Sequence, residues 1–320
     1  MNKPFYSVFA SHLQGYVKLR QQLGVKYMSQ TRLLYLFDEF VVSQGHVGPM
    51  TQELALAFAL TAPGQTRGEQ AKRYAVIRLF SEYLAAFDPC TPILDSQAIY
   101  DRRERYSPYI YTAEDLSRML QAAEVVSKSP LRKQSFATII GLAVSTGMRV
   151  GEILKLDRAD VDWATETLFV RNTKFGKDRL IPMHPTTSTA MQAYANLRDA
   201  VIPTPTTPAF FLTKFEQRYT YAAVNIGFRE ILAHCNLWRA KGQRPRFHDL
   251  RHTFATRRLE IWYQEGKDVQ ALLPLLATYM GHVQYTCTAY YITATPQLMA
   301  LAAARADTAW LAMAKTEAPA

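Results

Sequence analysis

Apolar residues recur every three or four positions through the first hundred residues, which is the spacing of one face of an α-helix. One such helix would place Leu33, Leu36, Phe37 and Phe40 on a common face. Ser29 precedes this run and is the predicted N-cap, because a serine side chain can accept a hydrogen bond from the first helical turn.

Two more helices follow from the same rule. Residues 54–60 form an apolar run, the Pro-Gly pair at 63–64 interrupts it, and Tyr74, Ile77 and Phe80 are then in helical period. The first hundred residues are therefore predicted to be a helical block.

A polar segment separates this block from the rest of the chain. Residues 94–111 have the charged and extended character of a linker, and Thr112 with Asp115 resembles a capping box that opens a new helix. We therefore expect two domains, residues 1–105 and residues 106–320.

The second block mixes two kinds of element. The run at 166–172, a turn around Gly176 and the run at 179–182 predict a β-hairpin. The expected fold is mainly α with a small antiparallel β-sheet. Helices are predicted at 113–126, 132–146, 149–155, 187–200, 220–235, 248–264, 268–280 and 296–314.

Composition narrows the class of protein. The 320 residues are 48% hydrophobic and 20% charged, which is ordinary for a globular protein, but the net charge of +10 favours a polyanionic partner such as nucleic acid or an anionic membrane surface. The most apolar stretches, 139–144 and 272–276, are too short to span a bilayer, and no signal peptide is evident. The three cysteines have no CxxC spacing, so a reducing cytoplasm is expected.

The segment His248-Asp-Leu-Arg-His252 allows two kinds of site. Histidines four residues apart share a helix face and could bind zinc, but Asp249 stands where the HExxH proteases carry Glu, and no third ligand is evident. Arg251 would repel a metal ion, whereas it can bind two oxygens of a phosphate while His248 moves a proton. The phosphate site is favoured, and neither a metal nor another cofactor is expected.

Basic residues at two turns could join such a site. Arg149 follows Gly147 at the start of a helix, where an anion is favoured, although a surface arginine before an amphipathic helix explains it better when taken alone. Lys174 and Lys177 flank the Phe-Gly tip of the hairpin and could reach a phosphate or protonate a leaving oxygen. An ordinary charged hairpin tip is the alternative.

A tyrosine-rich segment supplies a candidate nucleophile. His282 follows Gly281 at a helix end, and Tyr291 lies nine residues further along the chain. A tyrosine can act as a covalent nucleophile. For Tyr285 and for Tyr290 aromatic packing is the simpler interpretation.

In this order, the five motifs closely resemble those of the tyrosine recombinases, the lambda-type phage integrase family. They are an Arg in a TGMRVGE turn, a hairpin Lys, HDLRH, a Gly-His pair and the Tyr nine residues after it. The resemblance covers roughly residues 105–300 and implies a catalytic domain there. The first block resembles the family's helical core-binding domain, which binds DNA, only in length, helicity and position.

The resemblance implies phosphate-binding roles for specific residues. Arg149 and Arg251 would hold the non-bridging oxygens of one DNA phosphodiester, and His282 would donate a hydrogen bond to the same group. His248 would assist proton transfer at the nucleophile. Glu152 would support the site without reacting.

The resemblance also implies the bond chemistry. Tyr291 would attack the phosphate and form a covalent 3′-phosphotyrosine, while Lys174 would protonate the departing 5′ oxygen. The new ester is close in energy to the diester it replaces, so a free 5′-hydroxyl can reverse the attack without ATP. The spacing from His282 selects Tyr291 over Tyr290.

Further basic residues are candidates for contact with the DNA backbone. Lys177 is one, and Lys72, Arg73 and Arg78 on the third helix are others, although a solvated helix face is the simpler explanation for those three. His252 is expected to pack beneath the phosphate site as a supporting residue.

The implied partner is double-stranded DNA with a specific recombination site, bound by a tetramer in the prokaryotic cytoplasm, on the nucleoid and without membrane association. The segment that begins at Thr295 has Leu298 and Trp310 on one face. It would either fold onto its own domain or dock on a neighbouring copy, and the resemblance favours docking on the neighbour.

The predicted function is therefore a site-specific DNA recombinase of the integrase or transposase type, which belongs to a mobile genetic element. A type IB topoisomerase or a hairpin resolvase is the enzyme alternative, and supercoil relaxation without a specific site would indicate the former. A DNA-binding regulator that has lost catalysis is the other alternative, and DNA binding without a covalent adduct would indicate it.

Overall fold

The computed structural model describes residues 3–25, 27–61, 64, 66–99, 107–171, 178–239, 243–282, 288, 291 and 295–305. The chain divides into two compact units, 1–106 and 107–320. Across the described residues, no helix is both long enough and apolar enough to cross a membrane.

The described residues of the first unit form helices and the turns that connect them. Phe37, Phe58 and Phe80 are fully buried at its centre, so aromatic packing between the helices forms much of its core. Thr51 and Thr66 cap two of the helices by accepting hydrogen bonds from backbone N–H groups of the first turn. The helices are α1 (Ala10–Gln22), α2 (Met28–Ser43), α3 (Gln52–Leu60) and α4 (Arg67–Leu84).

Helix α2 differs from its prediction in two respects. It begins after Tyr27, which has a left-handed φ of 42°, and the Ser29 hydroxyl donates to Gln30 within the helix instead of capping it. Leu34 and Val41 are fully buried, whereas Leu36 is 38% exposed. Apolar residues occur on more than one side of α2, so the sequence did not determine which stripe faces the core.

The basic residues predicted on α4 fall into different environments. Lys72 is exposed, and Arg78 forms an ion pair with Glu82 one turn further along the helix. Arg73 is buried: its Nη2 donates to the Phe58 carbonyl over 2.9 Å and its guanidinium lies 4.0 Å from the Phe58 ring. The structure therefore gives no support to the predicted contact of Arg73 with a DNA backbone, because the side chain is buried and its Nη2 is bonded to a core carbonyl.

The second unit combines helices with one small sheet. Thr112 and Asp115 form the predicted capping box, and Ser129 with Pro130 begins the central helix α6. Helix α6 packs against α5, α8 and α10 and is buried along most of its length. The helices are α5 (Ala113–Val125), α6 (Pro130–Thr146), α7 (Val150–Ile153), α8 (Pro185–Val201), α9 (Tyr221–His234), α10 (Asp249–Gln264), α11 (Val269–Met280) and α12 (296–305).

The sheet has three antiparallel strands in the order β1 (Val161–Asp162), β2 (Thr167–Val170) and β3 (Arg179–Pro182). Strands β2 and β3 form the predicted hairpin, with Leu168 opposite Ile181. Strand β1 was not predicted, since two residues carry no periodic signal. The hairpin turn with Lys174 and Lys177 lies outside the described residues.

Helix α12 packs on its own chain as far as it is described. Leu298 is fully buried beside Leu259, Leu273 and Tyr291. Arg305 donates to the backbone carbonyls of the turn between α10 and α11. For residues 295–305 the structure thus shows the first of the two alternatives, docking on the chain's own domain.

Candidate active site

A tight turn between α6 and α7 presents Arg149. Gly147 ends α6 with a left-handed φ of 63°, and a Cβ added there would lie 2.4 Å from the Phe254 ring. Glycine is therefore required at this position by both its conformation and its surroundings. Arg149 then begins α7, and its side chain is only partly buried.

Glu152 is held by two arginines. Its Oε1 accepts from Arg149 Nη1 over 2.9 Å, and its Oε2 accepts from Arg179 Nη2 over 2.7 Å and from the Arg149 backbone N–H over 3.0 Å. Burial alone would raise the pKa of Glu152, but the hydrogen bonds and charges of Arg179 and Arg149 lower it below its usual value. Glu152 is therefore an ionised support inside a cationic cluster, and Arg179 is a member that sequence reasoning missed.

Arg251 is the most deeply buried cation of the site, with 2% of its surface exposed. Its Nη1 donates to the Gly147 carbonyl over 2.5 Å, and its Nη2 donates to the Met280 carbonyl over 2.7 Å and to His282 Nε2 over 2.8 Å. Burial, followed by the charge of Arg149, lowers the pKa of Arg251 to about 10, so the guanidinium remains charged at neutral pH.

Both predicted arginines donate hydrogen bonds to backbone carbonyls at the end of α11. The Gly281 carbonyl accepts from Arg149 Nη2 over 3.2 Å, directly after the Met280 carbonyl that Arg251 uses. Carbonyls at a helix C-terminus are unpaired within the helix and carry a partial negative charge. They anchor the guanidinium groups of Arg149 and Arg251 at this helix end.

The contacts of His282 define its tautomer. Because a guanidinium has only donors, the Nε2 that meets Arg251 must be an acceptor, and the Nδ1–H then donates to Thr288 Oγ1 over 2.7 Å. Burial and the charges of Arg251 and Arg149 lower the pKa of His282 to about 4, so the ring is neutral. Thr288 has no sequence signal of its own, since only folding brings its hydroxyl to the imidazole.

Tyr291 lies among the rings of the site and is 3% exposed. Its ring centroid is 5.3 Å from that of His252 and 6.2 Å from that of His282. The neighbouring Tyr290 lies outside the described residues. The structure thus brings the predicted nucleophile to the same helix end as the two arginines.

The two histidines of HDLRH pack edge to face, with ring centroids 5.0 Å apart. His248 stands at the start of α10 and keeps solvent exposure, whereas His252 is half-buried between His248 and Tyr291, as a supporting residue would be. Crowding by protein atoms, followed by neighbouring positive charge, lowers the pKa of each ring to about 4. Both are therefore neutral bases at pH 7.

This arrangement is suited to bind an anion and to transfer protons. Arg149 and Arg179 both pair with the carboxylate of Glu152, and the guanidinium of Arg251 adds a third positive charge close to it, so these four residues carry excess positive charge. Among the described residues, no group of three or more His, Cys, Asp or Glu side chains is arranged to hold a metal ion. Of the predicted residues, Lys174 and Lys177 lie outside the description, and Lys72, Arg73 and Arg78 belong to the first unit.

Comparisons with known proteins agree with this geometry. The family model described as "Phage integrase family" matches residues 110–297. The chain is 41% identical over 303 residues to the predicted integrase/recombinase y4rE of Sinorhizobium fredii, which covers 94% of this chain and 97% of that protein. It is 27% identical over 237 residues to the tyrosine recombinase XerC of Staphylococcus saprophyticus subsp. saprophyticus, which covers 72% of each.

A solved structure extends the likeness to the fold. The Tn1549 transposon integrase in complex with transposon right end DNA matches 94% of this chain and 99% of that chain, with a TM-score of 0.67 and 18% sequence identity. At this identity the match shows a shared fold.

Proposed function

The chain belongs to the phage integrase family and is a tyrosine recombinase, and from that premise we propose that Tyr291 cuts and rejoins double-stranded DNA at a specific site. The observation that carries this proposal is the convergence of Arg149, Arg251, His282 and Tyr291 at the C-terminal end of α11.

The proposed reaction begins with attack on a phosphodiester. The Tyr291 oxygen forms a bond to phosphorus while the bond from phosphorus to the 5′ oxygen breaks, which leaves a 3′-phosphotyrosine and a free 5′-hydroxyl. His248, a neutral base at pH 7, takes the tyrosine proton. Lys174, in the segment between β2 and β3, gives a proton to the departing 5′ oxygen. Rejoining is the same reaction in reverse with the 5′-hydroxyl of another strand.

The fixed cations stabilise the charge that develops during attack. Arg149 and Arg251 bind the non-bridging oxygens, and donors that are already anchored need little reorganisation as the transition state forms. His282 has its Nε2 occupied as an acceptor by Arg251. When a phosphate oxygen takes over that N–H of Arg251, the neutral ring can carry its one proton on Nε2 instead of Nδ1. Nε2 then donates to the phosphate while Nδ1 accepts from the Thr288 hydroxyl.

Variants of the adjacent tyrosines test the nucleophile. Tyr291→Phe should abolish the covalent protein–DNA adduct on a nicked suicide substrate, because the attacking oxygen is absent, while Tyr290→Phe should still form it. The adduct is measured as a band of reduced mobility on a denaturing gel. Adduct formation by Tyr291→Phe and its loss in Tyr290→Phe would overturn the assignment.

We also propose the setting of the reaction. The first unit contacts DNA beside the cleavage site, with exposed Lys72 as one candidate contact, and four chains assemble on two duplexes. The transposon integrase of similar fold is bound to transposon end DNA, which supports a mobile genetic element as the source of the substrate. The proposed location is the cytoplasm of a prokaryotic cell, on the nucleoid.

A further inference from the structure

Arg179 connects three elements of the catalytic unit. It is the first residue of β3, five positions after Lys174 in the sequence, and 11% of its side chain is exposed. Its Nη2 and Nη1 meet the two oxygens of Glu152, over 2.7 and 3.3 Å, and its Nε donates to the Tyr279 carbonyl over 3.0 Å. One guanidinium thus joins β3 to α7 and to the end of α11.

The carboxylate of Glu152 is shared between two cations with different tasks. Arg149 must keep donors and net charge for a phosphate, whereas Arg179 is almost covered and makes both of its Nη contacts to Glu152. A bidentate pair with Arg179 is the stronger of the two interactions by geometry. Arg179 therefore neutralises part of the Glu152 charge that would otherwise act on Arg149 alone.

The Arg179 side chain also explains why glycine stands at position 281, directly before His282. A Cβ at Gly281 would lie 2.9 Å from Arg179 Nη1, and the residue has a left-handed φ of 68°. The Gly281 carbonyl in turn anchors Arg149, and the next residue is His282. Arg179 packs directly under the turn that positions these two groups.

We propose that Arg179 is a positioning residue for DNA cleavage: it binds Glu152 so that this carboxylate does not close on Arg149 and neutralise it. This proposal rests on the proposed function, in which Arg149 binds the scissile phosphate. Without Arg179, Glu152 would turn its full charge toward Arg149, and the guanidinium would be both displaced and less cationic toward DNA.

The test uses paired substitutions in the full-length protein. The probe is a nicked duplex that carries the site selected by the wild-type protein from random-sequence DNA, and the rate of covalent adduct formation is measured at saturating protein. Arg179→Gln should lower this rate about 10- to 100-fold, since a misplacement of about 1 Å in the reacting geometry can cost about 100-fold. Adding Glu152→Gln should restore the rate at least several-fold, because the charge that closes on Arg149 is then gone.

The effect of adding Glu152→Gln distinguishes a positioning role of Arg179 from a purely structural role. If Arg179 only holds the fold together, the double variant will cleave as slowly as Arg179→Gln or more slowly, and the proposal is wrong. An Arg179→Gln rate equal to that of wild type would also overturn it. Failure of the wild-type protein to form any adduct would instead contradict the proposed function itself.

A matched control is available on α8. Arg198 is 4% exposed and donates to the Ala209 and Phe210 carbonyls, so Arg198→Gln removes a comparably buried arginine away from the site. It should lower the melting temperature but leave the adduct rate of the folded protein unchanged. If Arg179→Gln does not fold, Arg179→Lys serves in its place: with one contact to Glu152 instead of two it should cleave more slowly than wild type, and Glu152→Gln should again raise the rate.

Discussion

Gly141 lies inside α6 and Gly147 ends the same helix, and the two positions make opposite demands on the residue. Gly141 is inside α6, with no atom within 4 Å of a Cβ built there, whereas Gly147 has a left-handed φ and faces the Phe254 ring at 2.4 Å. The carbonyl of Gly147 also accepts from Arg251. At the scale of single residues, the structure would accept a side chain at Gly141, whereas Gly147 helps to build the site.

Alanine at each position makes this difference measurable. Gly147→Ala should lower the free energy of unfolding by more than about 1 kcal/mol, since a left-handed alanine alone costs that much before the clash with Phe254 is counted. It should also slow adduct formation, because the Arg251 anchor moves. Gly141→Ala should raise the free energy of unfolding by about 0.5–1 kcal/mol, as alanine favours the helix. Denaturant unfolding checks both values, and equal effects of the two changes would contradict the geometry.

At the scale of elements, α12 completes the core beneath the nucleophile. Leu298 is fully buried in the cluster that includes Tyr291, while Met299, the next residue of the same helix, is 53% exposed. The helix therefore supports the position of Tyr291 through the face that carries Leu298, while Met299 points to solvent.

Leu298→Ala should destabilise the catalytic unit by about 2–5 kcal/mol, the usual effect of removing a buried leucine side chain. The matched change Met299→Ala should alter the free energy of unfolding by less than about 0.5 kcal/mol, since that side chain is exposed. Both values come from denaturant unfolding curves. Equal losses, or no loss in Leu298→Ala, would show that α12 does not pack in this way.

The same elements show what the sequence could predict. Long helices with strong periodicity, such as α6 and α10, were predicted within about two residues, and the motif positions Arg149, Arg251 and Tyr291 were predicted by the family resemblance. Strand β1 and the stripe of α2 that faces the core were not, because pairing and burial are set by neighbours distant in sequence. Arg179 and Thr288 were missed for the same reason: each acquires its role only through contacts made by folding.

At the scale of the whole molecule, the protonation of the site's histidines makes the free energy of unfolding depend on pH. The folded protein keeps His252 and His282 neutral with pKa values of about 4, against an ordinary value of 6.5. Between these values the unfolded chain binds more protons than the folded chain, so the free energy of unfolding falls as pH falls. His248 acts in the same direction but contributes less, because it keeps solvent contact.

The melting temperature of the full-length protein should therefore fall as the pH is lowered from about 6.5 to about 4.5. Glu152, whose pKa is lowered, loses its contribution only below this window, while Glu260, whose pKa burial raises, opposes the trend. His252→Gln removes one titrating ring and should flatten the curve, which calorimetry at a series of pH values would detect. A wild-type melting temperature that stays constant across the window would mean that the rings are not desolvated, and the neutral bases assigned to the site would then lose their support.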